Sequence, residues 1–98
     1  MPQTITITTE FFRENGVIVG IAPQLNVSSH GKNLKDARAS LSEAIEAFLE
    51  TCEEIGTIRE VLEEAGFVAQ ENRYAWQPPK LFRQEQCEFK LTSNTVHV

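Results

Sequence analysis

Apolar positions along this chain change period twice. From Thr4 to Phe12 they alternate, with Ile5, Ile7 and Phe11 on one side and Thr4, Thr6 and Thr8 on the other. This period of two, in β-branched and aromatic types, predicts a strand. Asn15-Gly16 follows, a pair that readily takes the two positive φ angles of a type I′ hairpin turn, and Val17 to Ala22 is the predicted return strand. A two-residue loop sets the register: Glu14 opposes Val17 and Phe12 opposes Val19. Phe12, Val17, Val19 and Ile21 then share one face, and Ile5, Ile7, Phe11 and Ile18 share the other. Pro23 ends the second strand because it cannot donate to a ladder. Leu25 anchors a turn, Val27 to His30 makes a brief third strand, and Gly31 closes it.

The period then becomes helical. Leu34, Ala37, Leu41, Ile45, Phe48, Cys52 and Ile55 recur at spacings of three and four, which draws one apolar stripe along a long helix. Asn33 is the expected N-cap, with Asp36 in the first turn, and Gly56 suits the left-handed position after the last turn. Thr57-Ile58-Arg59-Glu60 has the spacing of a capping box for a short second helix carrying Ile58, Val61, Leu62 and Ala65, ended by Gly66. Beyond Gly66 the pattern weakens. Tyr74, Trp76 and Phe82 around Pro78-Pro79 predict an extended arm over 67–98, docked by its aromatics, with Cys87 to Leu91 as a fourth strand. The class expected is α+β: a small antiparallel sheet of three to four strands with one long helix on one face and a short second helix. The domain proper covers 1–66.

Length, charge and cysteine content narrow the function. A chain of 98 residues buries roughly two thirds of its unfolded surface, enough for a core without staples. Cys52 and Cys87 lack the spacing of a disulfide framework or a zinc site, and they read as reduced thiols in a cytoplasmic protein. The N-terminus lacks the basic start and apolar run of a secretory signal, and no segment reaches the ~20 apolar residues of a membrane span. The formal net charge is −5, and the acidity is local. Between residues 43 and 64 stand eight Glu (43, 46, 50, 53, 54, 60, 63, 64) against Arg59, while the segments on either side each carry one excess positive charge. Such a chain is a poor binder of phosphate backbones, so direct nucleic-acid binding is not expected.

No set of residues has catalytic or metal-ligating spacing. The Glu run is spaced for a solvated or partner-facing surface, and carboxylates in water have no desolvating pocket to tune them for proton transfer. Glu10, Glu14 and Asp36 are scattered over a strand, a hairpin and a cap; His30 and His97 stand alone; Cys52 has no base beside it. Gly31-Lys32 lacks the rest of a phosphate loop. Trp76, Tyr74 and Phe82 beside Lys80 and Arg83 read as packing or interface in preference to a stacking platform for single-stranded nucleic acid, because the chain is acidic. No enzyme activity, metal or cofactor is expected. A nuclease would need two or more acids converging on a divalent metal.

The order of these elements resembles the HicB family of antitoxins from HicA-HicB toxin-antitoxin pairs. The similarity covers about residues 4–66: strand, turn at Gly16, second strand, the Pro23-x-Leu25 step, short third strand, Gly31, and a helix opening Leu34-Lys35-Asp36-Ala37 and continuing Ala44-Ile45-Glu46-Ala47-Phe48-Leu49-Glu50. The resemblance implies a β-β-β-α-β domain similar to a reduced RNase H-like fold without catalytic acids, which homo-oligomerises and binds a small, basic, RNA-cleaving HicA toxin. The chain departs from autoregulating HicB proteins in showing no helix-turn-helix or ribbon-helix-helix pattern after Gly66. The reading is a non-catalytic antitoxin whose contact surface is Glu46, Glu50, Glu53 and Glu54, because an acidic face suits a basic partner. The alternative is an orphan oligomeric domain that binds a small ligand or acts as a regulatory module. A dimer or larger is expected on either reading, with Phe12, Val17, Val19, Ile21, Trp76 and Phe82 at the interface, since a three- or four-stranded sheet with two apolar faces needs cover on both.

Overall fold

Asn15 and Gly16 adopt φ of 48° and 84°, and the strands on either side pair in the register that such a turn imposes. A computed structural model describes residues 3–92. In chain order its elements are β1 (Thr4–Ile5), β2 (Glu10–Glu14), β3 (Val17–Ala22), β4 (Val27–Gly31), α1 (Leu34–Ile55), α2 (Ile58–Glu64), β5 (Phe67–Ala69) and β6 (Arg73–Trp76). The class is α+β, as expected, with one long helix and a short one.

The strands form two three-stranded sheets among the described residues, in place of the single sheet expected. One is the antiparallel meander β2-β3-β4, and the other runs β1-β6-β5, with β1 parallel to β6. The expected strand from Thr4 to Phe12 is therefore interrupted. Its first two residues pair with Arg73 and Tyr74, and its last residues pair with β3. Between them the Thr8 amide donates to Gln24 Oε1 at 2.7 Å, a side-chain acceptor where a ladder would have offered a carbonyl. Apolar residues at alternate positions, Ile5, Ile7 and Phe11, run through both halves, so the pattern alone does not reveal that they serve different sheets.

Helix α1 is capped as its sequence predicts. The Asp36 amide donates to Asn33 Oδ1 at 2.9 Å, and Gly56 takes the left-handed conformation at φ 79°. Along its stripe Ala37, Leu41 and Cys52 are buried and Ile45, Phe48 and Leu49 half-buried, but the two ends of the stripe, Leu34 and Ile55, are 45% and 67% exposed. The first half of α1 covers the β2-β3-β4 sheet. There Gly20 leaves room for Phe11 and Leu41, whose atoms would stand 2.8 and 3.2 Å from a β carbon at that position. The second half adds Ile45, Phe48 and Leu49 to a cluster centred on Leu25, Leu62 and Phe67, which also takes in Ile5, Ile7 and Tyr74. One helix thus joins two small sheets that could not bury their apolar faces alone.

Helix α2 starts without the expected capping box. Thr57 makes no side-chain bond into its first turn; its hydroxyl instead donates to the Cys52 carbonyl at 3.5 Å. The sharp Gly56 turn holds Thr57 against the end of α1, where the Thr57 amide also bonds the Cys52 carbonyl at 2.9 Å.

The expected boundary after Gly66 does not coincide with a break in packing. Phe67 is 1% exposed and β6 lies between β1 and β5, so residues 67–76 belong to the domain. The exposed arm begins after Trp76. Pro78 and Pro79 have no amide to donate and stop β6 from continuing. Residues 77–92 are all exposed, and no strand forms over Cys87 to Leu91. The radius of gyration, 18.2 Å, exceeds the about 13 Å of a compact chain of this length because the arm projects.

Candidate functional site

Four of the predicted contact residues occupy one exposed stripe. Glu46, Glu50 and Glu53 follow one another at spacings of four and three on α1, with Glu54 four residues beyond Glu50, so successive carboxylates stack along the side of the helix away from Ala37 and Leu41. All four are exposed. The second helix continues the acidity with exposed Glu60, Glu63 and Glu64. None of these carboxylates is in an ion pair among the described residues, where the single salt bridge joins Arg83 to Glu85 in the arm.

The position of Glu53 and Glu54 is unfavourable for the helix itself. They sit in the last turns of α1, where the helix dipole presents its negative end, and no basic residue accompanies them. Glu53 also borders a cleft of about 380 Å³ lined by Gln3, Thr4, Ile5, Leu49, Ile58, Leu62 and Tyr74. The cleft lies where the ends of α1 and α2 meet the second sheet. Its wall mixes aliphatic side chains with one carboxylate and one phenol.

The six predicted interface residues do not form one patch. Phe12, Val17, Val19 and Ile21 do share the outer face of the β2-β3-β4 sheet, opposite α1, where Phe12 is 52% and Val17 37% exposed and the other two are half-buried. Trp76 is elsewhere. Its Nε1 donates to the Ala65 carbonyl at 3.1 Å, and its ring borders a concavity with Thr8, Glu10, Pro23, Gln24 and Ala65 at one end of that sheet. Phe82 stands in the arm, 97% exposed, and touches neither. Of the three aromatics expected to dock the tail, Tyr74 and Trp76 do so and Phe82 does not.

Sequence reading missed Phe67, the largest fully buried side chain along with Leu41. The signal available was its place directly after Gly66, which turns the chain back at φ 97° onto the core. Among the described residues no three His, Cys, Asp or Glu side chains gather in a metal-binding arrangement. Cys52 is buried and Cys87 exposed. His30 sits on the outer face of β4, opposite Val19, and His97 lies outside the described residues. No helix among the described residues is long and apolar enough to cross a membrane. No protein-family model, curated protein or solved structure matches this chain.

Proposed function

We propose that this chain is a non-catalytic, cytoplasmic protein-binding domain of the HicB antitoxin type, which binds and occludes a small, basic, RNA-cleaving toxin similar to HicA. The observation that carries the reading is the row of exposed carboxylates Glu46, Glu50, Glu53 and Glu54, which make no ion pair among the described residues. Carboxylates crowded on one side of a helix repel one another, and two of these face the dipole in the wrong sense. A basic partner relieves both costs. Opposite potentials also speed encounter and cover the surface with which such a toxin would grip RNA. In this reading the domain self-associates through the outer face of the β2-β3-β4 sheet, which leaves α1 free.

The test is co-expression with the product of an adjacent short, basic reading frame, followed by pull-down. Capture is expected, with a loss of at least tenfold in affinity on changing Glu46, Glu50, Glu53 and Glu54 together to Lys. Capture that survives this reversal unchanged would remove the acidic surface from the reading. A second reading, a small-ligand or regulatory domain, is favoured by one observation, the cleft beside Glu53 and Tyr74. A fragment screen followed by a Tyr74→Phe variant separates the two, because Tyr74 borders the cleft and is not among the contact carboxylates.

A further inference from the structure

The arm has the composition of a buried element and none of the burial. Leu81, Phe82, Phe89 and Leu91 are 77%, 97%, 82% and 85% exposed. Cys87, Phe89 and Leu91 alternate with Glu88 and Lys90, the pattern of a strand with one apolar side. After the Gln77 amide, which donates to the Gly66 carbonyl at 2.8 Å, no described residue of the arm makes a backbone hydrogen bond. An apolar side without cover in its own subunit calls for cover outside it.

The same molecule offers a matching vacant surface. The outer face of the β2-β3-β4 sheet presents Phe12, Val17, Val19 and Ile21, with Glu10 and Glu14 at the two ends of β2. Lys80 and Lys90 of the arm and these two carboxylates are without ion pairs among the described residues, and their signs are opposite. The arm leaves its own domain at Trp76 and is turned outward by Pro78-Pro79. We propose that residues 78–92 are an exchanged arm: in a twofold dimer, the arm of each copy lies across the outer sheet face of the other, setting Leu81, Phe89 and Leu91 against Phe12, Val17 and Val19. This deepens the self-association in the reading above by naming the segment that performs it.

Area and reach agree with this occupant. Three large apolar side chains at roughly 150 Å² each amount to about 450 Å² per arm. Covering that area and a like area of sheet in both copies removes up to about 1,800 Å², against about 1,200–2,000 Å² for a stable protein interface. From Gln77 to Leu91 an extended chain spans about 46 Å, more than the width of a small sheet. The interface is isologous, so two arms close the assembly and leave no open end.

The test uses the full chain with Cys87→Ser and a nitroxide on Glu88→Cys, at a position on the polar side of the arm's alternation, while Cys52 is buried. Spin-labelled copies are mixed with nitrogen-15 copies carrying Cys87→Ser, so any broadening crosses from one chain to another. The expected result is a particle of twice 11.1 kDa by light scattering, with amides of Phe12, Val17 and Val19 losing at least half their intensity. A double variant, Phe89→Ser with Leu91→Ser, is expected to weaken dimerisation at least tenfold while its circular dichroism stays unchanged, since both side chains are exposed in the subunit. A dimer whose broadening falls on α1, or whose mass ignores the double variant, overturns the exchanged arm and leaves self-association standing. A monomer at 100 µM overturns both.

Discussion

Gly31 and Ala37 lie so close that a β carbon on the first would stand 2.4 Å from the amide nitrogen of the second. The last residue of β4 is pressed against the first turn of α1, and Ala37 itself is fully buried. The atoms that would be struck are backbone, which cannot rotate away. Gly31→Ala is therefore expected to destabilise the domain by about 2–3 kcal/mol, at the upper end of overpacking costs. Urea melts check it, and a loss below 0.5 kcal/mol would show that the strand and helix can slide apart there.

Leu41 and Phe48 occupy the same helical stripe but not the same environment. Leu41 is 1% exposed, whereas Phe48 is half-buried at the rim of the second cluster. Leu41→Ala should cost about 3–4 kcal/mol by loss of transfer energy and by the cavity left behind. Phe48→Ala should cost less than the about 3–5 kcal/mol of a fully enclosed ring, because water already reaches one side of it. Equal or reversed losses in denaturant melts would contradict this order.

Caps that look alike in sequence behave differently. Asn33 accepts a bond from the Asp36 amide at 2.9 Å, so Asn33→Ala should destabilise by about 1 kcal/mol. Thr57 makes no such bond, and Thr57→Ala should cost well under half of that. Thermal melts of the two variants side by side provide the comparison.

Glu54 is placed for a partner at a small cost to its own helix. Glu54→Lys should stabilise the isolated domain by about 0.3–1 kcal/mol through the helix dipole, with the gain shrinking as salt is added. The same change should weaken capture of a basic partner. A rise in melting temperature together with unchanged capture would separate the acidic helix end from binding.

Local signals in the sequence carried most of the first half of the fold. Asn15-Gly16 fixed the β2-β3 register residue by residue, and the Leu34 to Ile55 period with Asn33 and Gly56 fixed α1 to its ends. The long-range pairing of β1 with β6 left no such mark, since two residues in a strand of two look like any other alternation. Phe67 to Trp76 was obscure for a related reason: β5 has three residues and β6 four, too few to show a period. The acidic stripe was legible because helical spacing alone decides which Glu share a side. The split of the expected interface was not, because Trp76 is placed by its bond to Ala65 and Phe82 by two prolines, both outside any periodic element.

The parallel pair of Thr4-Ile5 with Arg73-Tyr74 bears on the order of assembly. Residues 10–55 contain a hairpin, a meander and the helix that covers it, all joined by short connections, so this unit can form early. Strand β1 must wait for a segment roughly seventy residues away to be made and folded back, and closing so long a loop is entropically unrewarded until β6 is in place. Strand β1 is thus made before the unit formed by residues 10–55 yet fixed after it, so a change in Thr4 or Ile5 acts on the closing step of folding and leaves its nucleus alone.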